Sequence, residues 1–130
     1  MRDKVPWGDR VLLIEDDPEL RELFTETLQQ AGYTVTPCSD LHEAKSFLLS
    51  SRFQILISDW QLGRDTADQL LLNRQFENLL PPTILVVTAY SDTTQFPNAL
   101  ASRFHVLEKP FRLEVLPKKL EEIMTGRQGF

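Results

Sequence analysis

The chain has 130 residues, 42% of them hydrophobic and 25% charged, with a formal net charge of −5. Those totals describe one ordinary globular domain, able to bury about two-thirds of its unfolded surface. An acidic balance with no run of Lys and Arg argues against general affinity for nucleic acid or anionic membrane, both of which are polyanions.

Cys38 is the single cysteine, so no internal disulfide forms. The N-terminus lacks the apolar core of a signal peptide, and no apolar run is long enough to span a bilayer. A reducing cytoplasm is the expected location.

Residues 1–9 read as a polar extension, and RVLLI (10–14) as a short apolar strand of the kind covered on both faces. The period then becomes helical. Leu20, Leu23, Phe24, Thr27, Leu28 and Ala31 recur on one face, Asp17 and Pro18 suit the N-cap and first helical position, and Gly32 suits the stop. YTVTP (33–37) reads as a second strand, followed by a helix over 41–50 with Asp40 and Glu43 placed as a capping box. FQILIS (53–58) is the third strand. Leu72, Phe76, Leu79 and Leu80 mark a third helix ending before Pro81 and Pro82, after which TILVV (83–87) is a strongly β-branched fourth strand. FHVLE (104–108) makes a fifth. Leu113, Leu116, Leu120, Ile123 and Met124 stripe a closing helix in which Pro117 implies an irregular start, and residues 126–130 form a tail or the start of a linker.

Strands alternating with helices imply parallel pairing, because parallel neighbours need crossovers and these are right-handed. The expected fold class is therefore α/β, a doubly wound five-stranded parallel sheet with helices on both faces. Ligands in such folds bind beyond the carboxyl ends of the strands. There the sequence places Glu15, Asp16 and Asp17 after strand one, Ser58, Asp59 and Trp60 after strand three, Thr88 and Ala89 after strand four, and Glu108, Lys109 and Pro110 after strand five. Carboxylates gathered at one edge raise one another's pKa unless a cation sits among them. All-oxygen donors favour Mg²⁺, and Lys109 supplies further positive charge.

Taken in order, LLIEDD, ILISDWQLG, VVTAYSD and LEKPF resemble the response-regulator receiver domain of two-component signalling, over residues 10–125. The resemblance implies the flavodoxin-like sheet order 2-1-3-4-5. It implies phosphorylation of Asp59, Mg²⁺ ligation by Glu15, Asp16, Asp59 and the main-chain carbonyl of Gln61, phosphoryl contacts or switching at Thr88, Ala89 and Lys109, and a cis bond before Pro110. Implied partners are a sensor histidine kinase or histidine phosphotransfer protein, with output through the face of the fourth helix, fifth strand and last helix, including phosphorylation-dependent homodimerisation. Such a domain is a switch rather than a conventional enzyme.

Three positions depart from the usual receiver pattern. Val106 stands where an aromatic switch residue is common, Gly63 replaces a proline and should loosen its loop, and Pro97 should break or shorten the fourth helix.

Single markers have plainer readings. Asp17 is a helix cap, His42 and His105 are ordinary surface or strand residues, Cys38 is an apolar filler, Trp60 packs or lies on a loop, and Leu70 to Leu72 are core plus a partly exposed edge. Two other functions compete with the phosphoacceptor: an interaction module that keeps the fold without using phosphate, and a haloacid-dehalogenase-like phosphatase. The latter wants Asp-x-Asp after strand one, where this chain has adjacent Asp16 and Asp17 followed by Pro18.

Overall fold

The computed structural model describes residues 8–89 and 104–126. The expectations for the fourth helix with Pro97 and for residues 1–7 and 127–130 lie outside them.

The elements in chain order are β1 (Arg10–Ile14), α1 (Pro18–Gln30), β2 (Thr34–Cys38), α2 (Leu41–Ser50), β3 (Ile55–Asp59), β4 (Gln61–Leu62), β5 (Asp65–Thr66), α3 (Asp68–Leu71), a 3-10 helix (Arg74–Leu79), β6 (Thr83–Ala89), β7 (His105–Lys109) and α4 (Val115–Thr125). Five strands form one sheet in the order β2-β1-β3-β6-β7, every neighbouring pair parallel. Counting only these five along the chain, the order is the expected 2-1-3-4-5. Pro37 lies on the edge strand β2, where a missing ladder donor is tolerated.

The strand runs are apolar throughout because both sheet faces are covered. Alternation along β1 sends Leu12 and Ile14 to one side, where they pack with Leu41, Ala44 and Leu48 of α2, Leu70 and Leu71 of α3, and Phe76. Val11 and Leu13 go to the other side, against Phe24 and Leu28 of α1 and Leu116 and Leu120 of α4. Each of these fully buried aliphatic side chains contributes about 1.5–3 kcal/mol of transfer free energy.

The caps follow the sequence closely. The Asp17 side chain accepts from the amides of Glu19 and Leu20. Asp40 accepts from the Glu43 amide, while Glu43 reaches back to the amide and hydroxyl of Ser39, one residue before the cap. Gly32 leaves α1 at φ 102°, a left-handed conformation that glycine adopts without strain. Pro117 sits in the first turn of α4, where its lack of an N–H breaks no ladder; the helix is entered through short bonds from Val115 N–H to Arg112 and from Leu116 N–H to Leu113.

The third helix requires correction. Instead of one helix across 72–80, there is a single turn, α3, and then a separate 3-10 helix. Asn73 is responsible for the break, since its side chain accepts from the Gln75 amide and starts a new turn. Of the four residues whose spacing suggested one helix, only Phe76 is buried, whereas Leu72 and Leu79 are 44% and 40% exposed. Among the described residues, no helix is long and apolar enough to cross a membrane.

Candidate functional site

The strands run slightly further than their apolar stretches, so Asp59, Ala89 and Lys109 are the last residues of β3, β6 and β7. The sheet register sets Asp59 beside Val87, and Ala89 beside Lys109. Glu15 follows β1 directly. Its N–H bonds to the Cys38 carbonyl at 3.1 Å, and its own carbonyl accepts from Arg21 Nη1 of α1 at 2.9 Å. Backbone and helix thus clamp Glu15 while its side chain turns into the sheet edge.

The three acids of the first loop divide their tasks. Asp17 is spent on the α1 cap. Glu15 is buried; its Oε2 accepts from the Asp17 amide at 3.1 Å, while Oε1 has no hydrogen-bond partner among the described residues and lies 3.6 Å from Lys109 Nζ. Asp16 is exposed, and its Oδ2 accepts the Gly63 N–H at 3.0 Å.

Asp59 is buried and meets Lys109 Nζ through both oxygens, at 2.9 Å from Oδ1 and 3.2 Å from Oδ2. Ligand oxygens of Glu15, Asp16 and Asp59 all lie within 4.8 Å of one another. A cleft of about 380 Å³ opens over them, lined among others by Gln61, Val87, Ala89 and Lys109. A larger groove, about 620 Å³, lies at the opposite edge between the end of α2 and the 3-10 helix and gathers no acids.

Burial above all, and then the neighbouring Asp59 carboxylate, push the Glu15 pKa up to about 8. Asp59 is also raised, by burial above all, with the neighbouring Glu15 and Lys109 working against the rise. Burial works against the Lys109 charge, but the two acids outweigh it and its pKa rises.

Those donors fit a hard divalent cation. The unpartnered, buried Oε1 of Glu15, converging with two further carboxylates and no nitrogen or sulfur donor, is a set that Mg²⁺ would satisfy.

Thr88 is buried at the end of β6, and its hydroxyl donates to the Ala89 carbonyl at 3.3 Å. Val106 is half-buried in β7, paired with Val86. The Lys109–Pro110 bond is cis. Trp60 is core, as is Cys38, and His42 is exposed on α2.

The antiparallel β4–β5 hairpin is absent from the sequence reading, although Gly63 and Arg64 form a two-residue connection with glycine at its first position, itself a hairpin signal. Gly63 was expected to loosen this loop. Instead the loop is braced, because the Gln61 side-chain Nε2 donates to the carbonyls of Gly63 and Asp65, and Leu62 is buried. The Arg21 clamp on Glu15 is also absent from that reading and has no signature in spacing.

A sequence profile of the response regulator receiver domain matches residues 11–121. The chain is 31% identical over 116 residues to the regulatory protein VanRB of Enterococcus faecalis, a match covering 88% of this chain and 52% of that protein. It is 29% identical to the chemotaxis protein CheY of Pseudomonas aeruginosa, covering 92% of this chain and 99% of the relative. Among solved structures, the chemotaxis response regulator CheY4 of Vibrio cholerae superposes with a TM-score of 0.71 at 28% identity, covering 88% of this chain and 97% of that one. The chain therefore spans about half the length of one regulator and nearly all of the chemotaxis proteins.

Proposed function

The chain belongs to the response regulator receiver domain family, and from that premise we propose that Asp59 is a phosphoacceptor charged by a phosphohistidine on a sensor histidine kinase or histidine phosphotransfer protein. The observation that carries this reading is the buried Asp59 carboxylate at the floor of the acidic cleft, held 2.9 Å from Lys109 Nζ. An Asp59 oxygen attacks phosphorus, the P–N bond breaks, and its electron pair departs with the imidazole, which takes up a proton from water. The products are an aspartyl phosphate and a free histidine.

The chain's own residues supply position and charge. Glu15, Asp16, Asp59 and the Gln61 carbonyl would hold Mg²⁺, which when bound neutralises charge on the phosphoryl oxygens. Lys109 turns its ammonium from the carboxylate toward the incoming phosphoryl group. Thr88 exchanges the Ala89 carbonyl for a phosphoryl oxygen, which biases the ends of β6 and β7 toward a second arrangement. Val106 offers no ring to rotate, so the readout is assigned to displacement of these strand ends rather than to an aromatic swing. The outward effect is a changed surface that a partner or a second copy reads in the cytoplasm.

The test is intact mass after incubation with Mg²⁺ and acetyl phosphate. A gain of one phosphoryl group that requires both Mg²⁺ and Asp59, and is absent in Asp59→Asn, is the expected result. No gain in the wild-type chain would overturn the phosphoacceptor reading in favour of an interaction module that works without phosphate.

A further inference from the structure

Asp16 and Gly63 are 47 positions apart, yet the Gly63 amide donates to Asp16 Oδ2 at 3.0 Å. Gly63 is the first residue of the β4–β5 connection and sits at φ 65°. Proline cannot adopt that conformation and has no N–H to offer. An alanine Cβ at this position would meet nothing within 4 Å among the described residues, where the backbone conformation is what resists substitution.

The bond joins two parts of the acidic cleft that would otherwise move independently. Asp16 is exposed and follows a strand end, a setting in which a carboxylate samples several rotamers. The hairpin is rigid in itself, through the Gln61 braces, the buried Leu62, and main-chain bonds from Trp60 N–H to the Val87 carbonyl at 2.8 Å and from Ala67 N–H to the Trp60 carbonyl at 2.9 Å. With one Asp16 oxygen fixed to this hairpin, the carboxylate is held beside Glu15 and Asp59 at the separation a single cation needs.

We propose that the Gly63 main-chain N–H is a positioning group for cation binding, locking the Asp16 carboxylate to the hairpin that carries the Gln61 carbonyl. This rests on the phosphoacceptor reading, because it assigns the same cleft a Mg²⁺ ion. The bond lowers the ordering entropy that a cation must otherwise overcome on arrival. Hairpin geometry thereby sets Mg²⁺ affinity, although Gly63 itself need not touch the ion.

The experiment is calorimetric titration with Mg²⁺ of four chains: wild type, Gly63→Ala, Gly63→Pro, and a semisynthetic chain in which an ester replaces the amide at Gly63 and removes only the N–H. Urea unfolding in EDTA accompanies each titration, so that loss of fold is separated from loss of affinity. Hydrogen exchange of the Gly63 amide is compared between wild type and Asp16→Ala. The expected result is Mg²⁺ binding weakened about fivefold in the ester and at least as much in Gly63→Pro, the weight of one exposed hydrogen bond to a charged group. Gly63→Ala keeps the donor but strains the φ 65° backbone, so its affinity should fall less than that of Gly63→Pro, and Gly63 exchange should speed up in Asp16→Ala.

An ester chain that folds and binds Mg²⁺ as tightly as wild type, or more tightly, overturns the positioning role and leaves the phosphoacceptor reading standing. Failure of the wild-type chain to bind Mg²⁺ at all overturns both.

Discussion

Lys109 Nζ stands 2.9 Å from Asp59 and 3.6 Å from Glu15, one ammonium shared by two buried acids. Removing it leaves both carboxylates without their cation. Lys109→Met is therefore expected to destabilise the metal-free chain at pH 8 by about 1–2 kcal/mol, less than the roughly 3–5 kcal/mol for breaking a fully buried pair, because the lysine is partly exposed. Urea unfolding in EDTA measures this, and an unchanged midpoint would refute it.

The opposite sign is expected for Asp59→Asn. The Asp59 carboxyl lies above its ordinary pKa, mainly through burial, so its charged form is disfavoured in the fold. A neutral amide of the same shape removes that penalty and relieves Glu15. The metal-free variant should unfold at a higher urea concentration than wild type at pH 8, while accepting no phosphoryl group.

Glu15 gives stability a pH dependence. Its folded pKa, about 8, lies above the ordinary 4.5, so between these values the native chain holds a proton that the unfolded chain has released. The contribution is present in full below about pH 4.5 and is lost as pH rises to about 8, at about 1.4 kcal/mol per unit of displacement. In EDTA, Glu15→Gln should flatten the fall in unfolding free energy between pH 6 and 8. A slope equal to wild type would assign it to another group.

How much was legible beforehand depended on how local each signal is. The runs from Arg10 to Ile14 and from Thr83 to Val87 carry their own evidence, and Asp17 and Asp40 announced the helix starts. Strand ends do not: Asp59 and Lys109 continue their ladders two residues past the last apolar side chain, since pairing with a neighbouring strand decides where a strand stops. The third helix failed because apolar spacing at Leu72 and Leu79 carried no information about burial, which Asn73 redirected. Motif order identified the acids. The Gly63–Asp16 bond was invisible because it joins residues 47 apart through a main-chain donor that every non-proline residue possesses.

Cys38 is 3% exposed, and its thiol is pushed up to about 12, chiefly by burial and then by Glu43 and Asp40. Its thiolate is scarce at pH 8, so modification by iodoacetamide should require opening of the fold. Labelling followed by mass should accelerate with sub-denaturing urea in parallel with unfolding. Rapid labelling in buffer alone would place the thiol at the surface.

The site draws Glu15 and Asp16 from the segment after β1, Asp59 from β3 and Lys109 from β7, which among the described strands pairs with β6 alone. During vectorial synthesis the three acids leave the ribosome well before their lysine. A nascent chain that ends after β6 holds a mutually repelling cluster, which β7 neutralises as it docks. The electrostatics of the cleft thus reward completion of the sheet, because the last strand delivers the ammonium that the gathered acids face.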